Sequence, residues 1–107
     1  MSRTILPGSP EAEKAVLGSC ILSSEALSQA LEVLTPEDFL DDRNRLTFSV
    51  IRDMYSAGKP VDYVTLHDEF MARNIFQRLG GQSYIDELVG DITHTQNVIY
   101  HSNIVRD

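Results

Sequence analysis

Three histidines, one cysteine and two groups of carboxylates are the residues of this 107-residue chain whose chemistry could extend beyond packing. His67, His94 and His101 fall in no H-E-x-x-H pattern. His94 and His101 could share a helix face, but a pair without a third ligand makes a poor metal site, so surface or half-buried roles are expected. Cys20 lies on an apolar stripe with no basic neighbour in sequence to hold a thiolate, which predicts a packed thiol rather than a nucleophile. The acids Glu11 and Glu13, and Glu37, Asp38, Asp41 and Asp42, could form general acid–base pairs or hold a hard cation. Their positions match the first turns of helices, where carboxylates complement the helix dipole, and that role is expected instead.

Nucleotide chemistry needs glycines spaced so that backbone N–H groups surround phosphates. Gly8, Gly18, Gly58, Gly80, Gly81 and Gly90 form neither G-x-x-x-x-G-K-[ST] nor G-x-G-x-x-G. Gly80-Gly81 is read as a helix break rather than a phosphate loop. Arg43, Arg45 and Arg52 are the clustered positive charges, and Asp41, Asp42 and Asp53 flank them, so a solvated helix face is expected. No catalytic, cofactor or metal residue is assigned.

Composition narrows the class further. Sixteen acids against nine Lys and Arg give a formal charge of −7, which opposes phosphate-driven binding of nucleic acid. The apolar fraction of 42% supports one core, and a single cysteine excludes an internal disulfide. No apolar run approaches the ~20 residues of a membrane span, and the N-terminus lacks a secretory h-region. A cytoplasmic domain is expected.

The elements that must position these residues are short helices. Residues 1–9 read as an arm. Ser9-Pro10-Glu11 starts the first helix, with Pro10 at its first position and Ala12, Val16, Leu17, Cys20 and Ile21 on one face. Ser23-Ser24 interrupts it, and Ser24 is placed as cap of a second helix striped by Leu27, Ala30, Leu31 and Leu34. Thr35-Pro36-Glu37-Asp38 carries a capping box with Asp38 in the third position. Asp41-Asp42 then caps a helix over about residues 43–57, stopped by Gly58 and Pro60. Asp62 caps the next, with Tyr63, Leu66, Phe70 and Met71 as its stripe and Asn74 at its end. Met54 and Met71 are both expected in the core. A helix starting at Gln82 or Ser83 carries Tyr84, Ile85, Leu88 and Val89. A last helix, 96–107, ends without a stop signal, which suggests a piece of a longer protein.

The expected fold is all-α, a compact orthogonal bundle of five to seven short helices over residues 10–107. Its predicted core is Val16, Leu31, Phe39, Val50, Ile51, Met54, Leu66, Phe70, Ile85 and Leu88. Tyr84 is open between core and interface. It follows a double-glycine break and combines apolar area with a polar tip. With Asp86 and Glu87 beside it, it is the first candidate for partner binding.

The whole pattern resembles the N-terminal domain of DnaB-type replicative DNA helicases. The resemblance runs from about Pro10 to Asp107. It rests on Glu11-Ala12-Glu13 with Val16-Leu17-Gly18, and on Leu34-Thr35-Pro36-Glu37-Asp38-Phe39. Ile51, Met54-Tyr55, Gly58, Pro60-Val61-Asp62 and Val64-Thr65-Leu66 follow, then Gly80-Gly81, Tyr84-Ile85, Leu88, Asn97-Val98 and Ile104-Val105-Arg106. The order and spacing of these pieces carry it, not any one of them. Leu40, Asn44, Asn74 and the loop Thr93-His94-Thr95-Gln96 depart from the family pattern: an aromatic is common at the first, His at the second and Gly at the third.

The resemblance implies a parent protein that is a hexameric, ATP-dependent helicase, with ATP and Mg bound in a motor domain outside this chain. It implies a collar built as a trimer of dimers, contacts with other helicase subunits, docking of a DnaG-type primase and, in some systems, of a loader. This chain is then expected to be neither catalytic nor a tight binder of nucleic acid. The alternative is the helicase-binding C-terminal domain of a primase, which is similar in fold. A small helical DNA-binding module is the third reading, and the −7 charge opposes it.

Overall fold

A computed structural model describes residues 9–90. Within them the chain folds as five α-helices and one 3-10 turn, with no strand among the described residues. Helix α1 spans Pro10–Leu22 and α2 spans Ser24–Val33; the 3-10 turn is Pro36–Asp38. Helix α3 spans Asp42–Ser56, α4 Tyr63–Ala72 and α5 Gly81–Val89. The fold is all-α, as the helical periods require.

Local chemistry sets most of the boundaries. The Ser23 hydroxyl, not Ser24, caps α2 by accepting from the Ala26 N–H at 3.1 Å. Asp41 Oδ1 accepts from the N–H groups of Arg43 and Asn44 at 2.8 and 3.2 Å, two donors that α3 cannot satisfy itself. Asp62 and Thr65 form a reciprocal box on α4, each side chain accepting from the other's backbone N–H at 2.9 Å. Helices α3 and α4 end alike. Gly58 at φ 77° and Asn74 at φ 60° turn left-handed. The next N–H closes back on the helix, from Lys59 to Met54 and from Ile75 to Phe70. Gly80 and Gly81 both hold positive φ, and α5 begins directly at Gly81, one residue before the predicted start.

Helix α1 is the centre of the bundle and packs against α2, α3 and α5. Its second half is buried on nearly every side, through Val16, Leu17, Gly18, Ser19, Cys20 and Ile21. Gly18 is required for this. A Cβ there would lie 2.0 Å from the Leu88 carbonyl oxygen, so only glycine lets α1 and α5 approach so closely. Phe39, at the end of the 3-10 turn, packs its ring tilted against Phe48 of α3 at 4.8 Å between centroids.

Nine of the ten predicted core residues are buried. Leu31 is the exception: it packs on the rim of the core, because α2 is covered on one side only. Met71 is also displaced from the expected core. It is 52% exposed, since Leu66 and Phe70 already fill the buried side of α4 and the next position points outward. Tyr63 shares the face of Leu66 and Phe70 but opens the first turn of α4, and it too is exposed. The residues 1–8, the 91–95 loop and the predicted 96–107 helix, with His94 and His101, lie outside the described residues.

Candidate partner-binding face

Helix α5 presents two of the three residues singled out for partner binding and hides the third. Tyr84 is 1% exposed and lies in the core, which corrects its candidacy as an exposed anchor. The glycine break does bring α5 to the surface, but the helix's inward stripe is Tyr84, Ile85 and Leu88. The tyrosine's polar tip meets buried partners rather than a second protein.

Those partners form a directional chain of hydrogen bonds. The Tyr84 hydroxyl donates to Asn44 Oδ1 at 2.7 Å and lies 3.1 Å from the Thr47 hydroxyl. The Tyr84 proton is thus committed to Asn44, so Thr47 is the donor in the second contact. The Asn44 amide nitrogen donates to Glu13 Oε1 at 2.9 Å. Glu13 also accepts from the backbone N–H groups of Leu40 at 2.6 Å and Asp41 at 3.3 Å. Every donor faces an acceptor, which fixes the Asn44 amide: its oxygen turns to the phenol and its nitrogen to the carboxylate. Burial holds the Tyr84 phenol well above its usual pKa, against the opposing effect of the Thr47 contact. The Arg43 guanidinium sits 5.1 Å from the centre of the Tyr84 ring and closes the network toward solvent.

Glu13 therefore does something the sequence reading missed. It is 1% exposed, and rather than complementing the α1 dipole from the surface it binds the loop that enters α3. A glutamate in a first helical turn gives no sign of facing inward; the three donors it meets lie 27 to 31 residues away. The acids around it do act as expected. Asp41 caps α3, and Asp38 Oδ2 accepts from the Thr35 N–H at 2.8 Å.

Asp86 and Glu87 stand on the outer face of α5. Asp86 accepts from Gln82 Nε2 at 2.9 Å and from the Tyr63 hydroxyl at 3.4 Å, and Gln82 also contacts that hydroxyl. Glu87 pairs with Lys14 of α1 at 2.7 Å, and that ammonium holds its carboxyl below the ordinary range. The surface joining α1, α4 and α5 is thus a polar ridge whose side chains already hold one another in place.

Cys20 is fully buried and burial pushes its thiol up to about 12, far from a reactive thiolate. His67 packs edge-on against Phe76 and lies 3.6 Å from Asp68. No cluster of three or more metal-ligating side chains occurs among the described residues. None of their helices is long and apolar enough to cross a membrane.

The chain's relatives share both sequence and fold. The model of the DnaB-like helicase N terminal domain matches residues 5–107. The chain is 39% identical to the replicative DNA helicase DnaB of Geobacillus stearothermophilus, over 99% of its own length and 23% of the relative's. It is 33% identical to the replicative DNA helicase DnaC of Bacillus subtilis, over 94% of its length and 22% of that protein's. It spans less than a quarter of either relative. The crystal structure of the N-terminal domain of DnaB helicase from Mycobacterium tuberculosis superposes with a TM-score of 0.83 at 35% identity, covering 88% of this chain and 68% of that one. With matching order of motifs, an all-α fold and a family model spanning almost the whole sequence, this chain belongs to the DnaB-like helicase N-terminal domain family.

Proposed function

We propose that this domain is the non-catalytic collar of a hexameric replicative DNA helicase, and that it works by contact: it supports ring assembly and receives a DnaG-type primase or a loader. The observation that carries this reading is the family match across residues 5–107. The chemistry of the described residues agrees with it. Their one thiol is buried, their buried carboxylates are engaged in capping and loop binding, and the exposed groups of α5 form a hydrogen-bonded polar ridge. A pre-ordered ridge loses little side-chain entropy on docking, which favours it as a contact surface. Asp86 and Glu87 remain the candidates for meeting basic groups of a partner there, giving orientation more than affinity. ATP and Mg belong, on this reading, to the motor of the parent protein, and the domain works in the cytoplasm.

The test compares the parent helicase with a form lacking residues 1–107. Retained ATP hydrolysis with loss of primase co-elution is the expected result. ATP turnover by residues 1–107 alone, or undiminished primase capture by the truncated form, would overturn the proposal.

A further inference from the structure

A second surface lies on the opposite side of α3 from the Tyr84 network. The outer ridge of α3 carries Arg45, Ser49 and Arg52 one turn apart, and the 3-10 turn and the segment after α4 rise on either side of it. Together they enclose a groove of about 380 Å³, with Arg78 contributed from the far wall. Two other surface cavities measure about 210 and 180 Å³. The sequence places Arg45 and Arg52 on a solvated face; it could not place Arg78 beside them.

The three arginines are not equivalent. Arg45 is committed: its Nε donates to the Phe39 carbonyl at 3.1 Å and its guanidinium lies 3.4 Å from Asp42. Arg52 and Arg78 have no carboxylate partner among the described residues, although the chain carries a large excess of acid. Elsewhere the described cations are used: Lys14 pairs with Glu87, Lys59 and Arg73 with Glu69. Two guanidinium groups left open on one groove of a −7 chain form a local reversal of sign. The floor between them includes Leu46 and the buried Pro36, so it offers apolar contact as well as charge.

We propose that this groove binds an acidic peptide segment of a partner protein, one that places a carboxylate on Arg52 and Arg78 and an apolar side chain over Leu46 and Pro36. Guanidinium groups recognise carboxylates through paired N–H donors, and both sites here are free to do so. Nucleic acid fits less well. A continuous phosphate backbone would have to run past Glu37 and Asp42, which interrupt the arginines on the groove wall, and it offers nothing apolar to Leu46 and Pro36, whereas a short peptide can set one carboxylate and one apolar side chain.

The test titrates the isotopically labelled 107-residue chain with a short Glu-Leu-Glu-Glu-Leu peptide and follows amide shifts. Shifts confined to the groove, with affinity at least tenfold above that for the Lys-Leu counterpart, are expected. The double variant Arg52→Gln with Arg78→Gln should weaken binding at least tenfold and leave the melting temperature unchanged, since both side chains are exposed. Arg73→Gln, outside the groove, should leave binding intact. Equal affinity for both peptides, or binding that survives the double variant, overturns the proposal. So does displacement of the peptide by oligothymidylate at physiological salt, or self-association of the chain through this groove.

Discussion

Replacing Asn44 by Asp changes one atom group at the centre of the buried network and keeps its shape. In the native protein the Asn44 amide nitrogen stands 2.9 Å from Glu13 Oε1, and Asn44 is fully buried. Asn44→Asp exchanges that donor for a second carboxylate oxygen. Two like charges at this distance repel by about 6 kcal/mol at an effective dielectric near 20. The pair escapes part of this by taking up a proton, at about 1.4 kcal/mol for each pH unit above the ordinary carboxylate value near 4. At pH 7 protonation is the cheaper route, at about 4 kcal/mol, a large part of the roughly 5–15 kcal/mol that holds a domain folded. The sign follows from the raised pKa of the introduced carboxyl. The variant approaches native stability below about pH 4 and falls behind as pH rises, until the repulsion limit is reached. Urea unfolding followed by circular dichroism at pH 5 and pH 7 measures both quantities. Glu11→Gln, at an exposed position of the same helical turn, should change stability by less than about 0.5 kcal/mol. An Asn44→Asp protein within 1 kcal/mol of the native one at pH 7, or equally penalised at both pH values, would refute the orientation assigned to the network.

Gly18→Ala gains about 1 kcal/mol of helix propensity but drives a methyl into the Leu88 carbonyl, an overpacking cost of about 1–3 kcal/mol or more. The net effect on thermal melting should be destabilising, and a stabilised variant would show that α5 moves away freely. Tyr84→Phe removes the hydroxyl that Asn44 and Thr47 share and should lower stability by about 1–3 kcal/mol, or several degrees of melting temperature. An unchanged melting curve would mean the phenol is solvated rather than buried. The hydrogen bond from Arg73, helped by Lys59, holds the Glu69 carboxyl below its ordinary value of 4.5. That contribution is present above the ordinary value and is lost as pH falls through the lowered one, so Glu69→Gln should flatten the acid limb of a stability–pH curve. An identical acid limb would show that the cluster is fully screened.

Local signals were legible in the sequence because their causes are local. Asp41, Asp62, Gly58 and Asn74 each act on backbone within five residues, and the structure uses each as expected. The buried network was not legible, because Glu13, Asn44 and Tyr84 come from three separate helices. A glutamate in a first helical turn looks like a surface residue, and a tyrosine after two glycines stays open between core and interface, until their partners are known. Apolar period also exceeds the buried stripe. Tyr55 and Tyr63 lie on their helices' apolar faces but in the last turn of α3 and the first turn of α4, Met71 lies beside the stripe of α4, and all three remain exposed. The candidate partner face was half visible. Asp86 and Glu87 are outward, but their fixed pairs with Tyr63, Gln82 and Lys14 depend on how α1, α4 and α5 meet.

The approach of Gly18 to the Leu88 carbonyl has a consequence for how the domain is made. Its central helix emerges first from the ribosome, and the helix that covers it emerges about seventy residues later. At the roughly 5–20 residues per second of synthesis, α1 waits several seconds with its apolar sides and the Glu13 carboxylate unmatched. Helix α2 can shield one side early, but the Asn44 and Tyr84 partners are not yet available. Completion therefore comes late, when α5 closes the bundle. A nascent chain paused before residue 81 exposes the most protected surface of the finished domain.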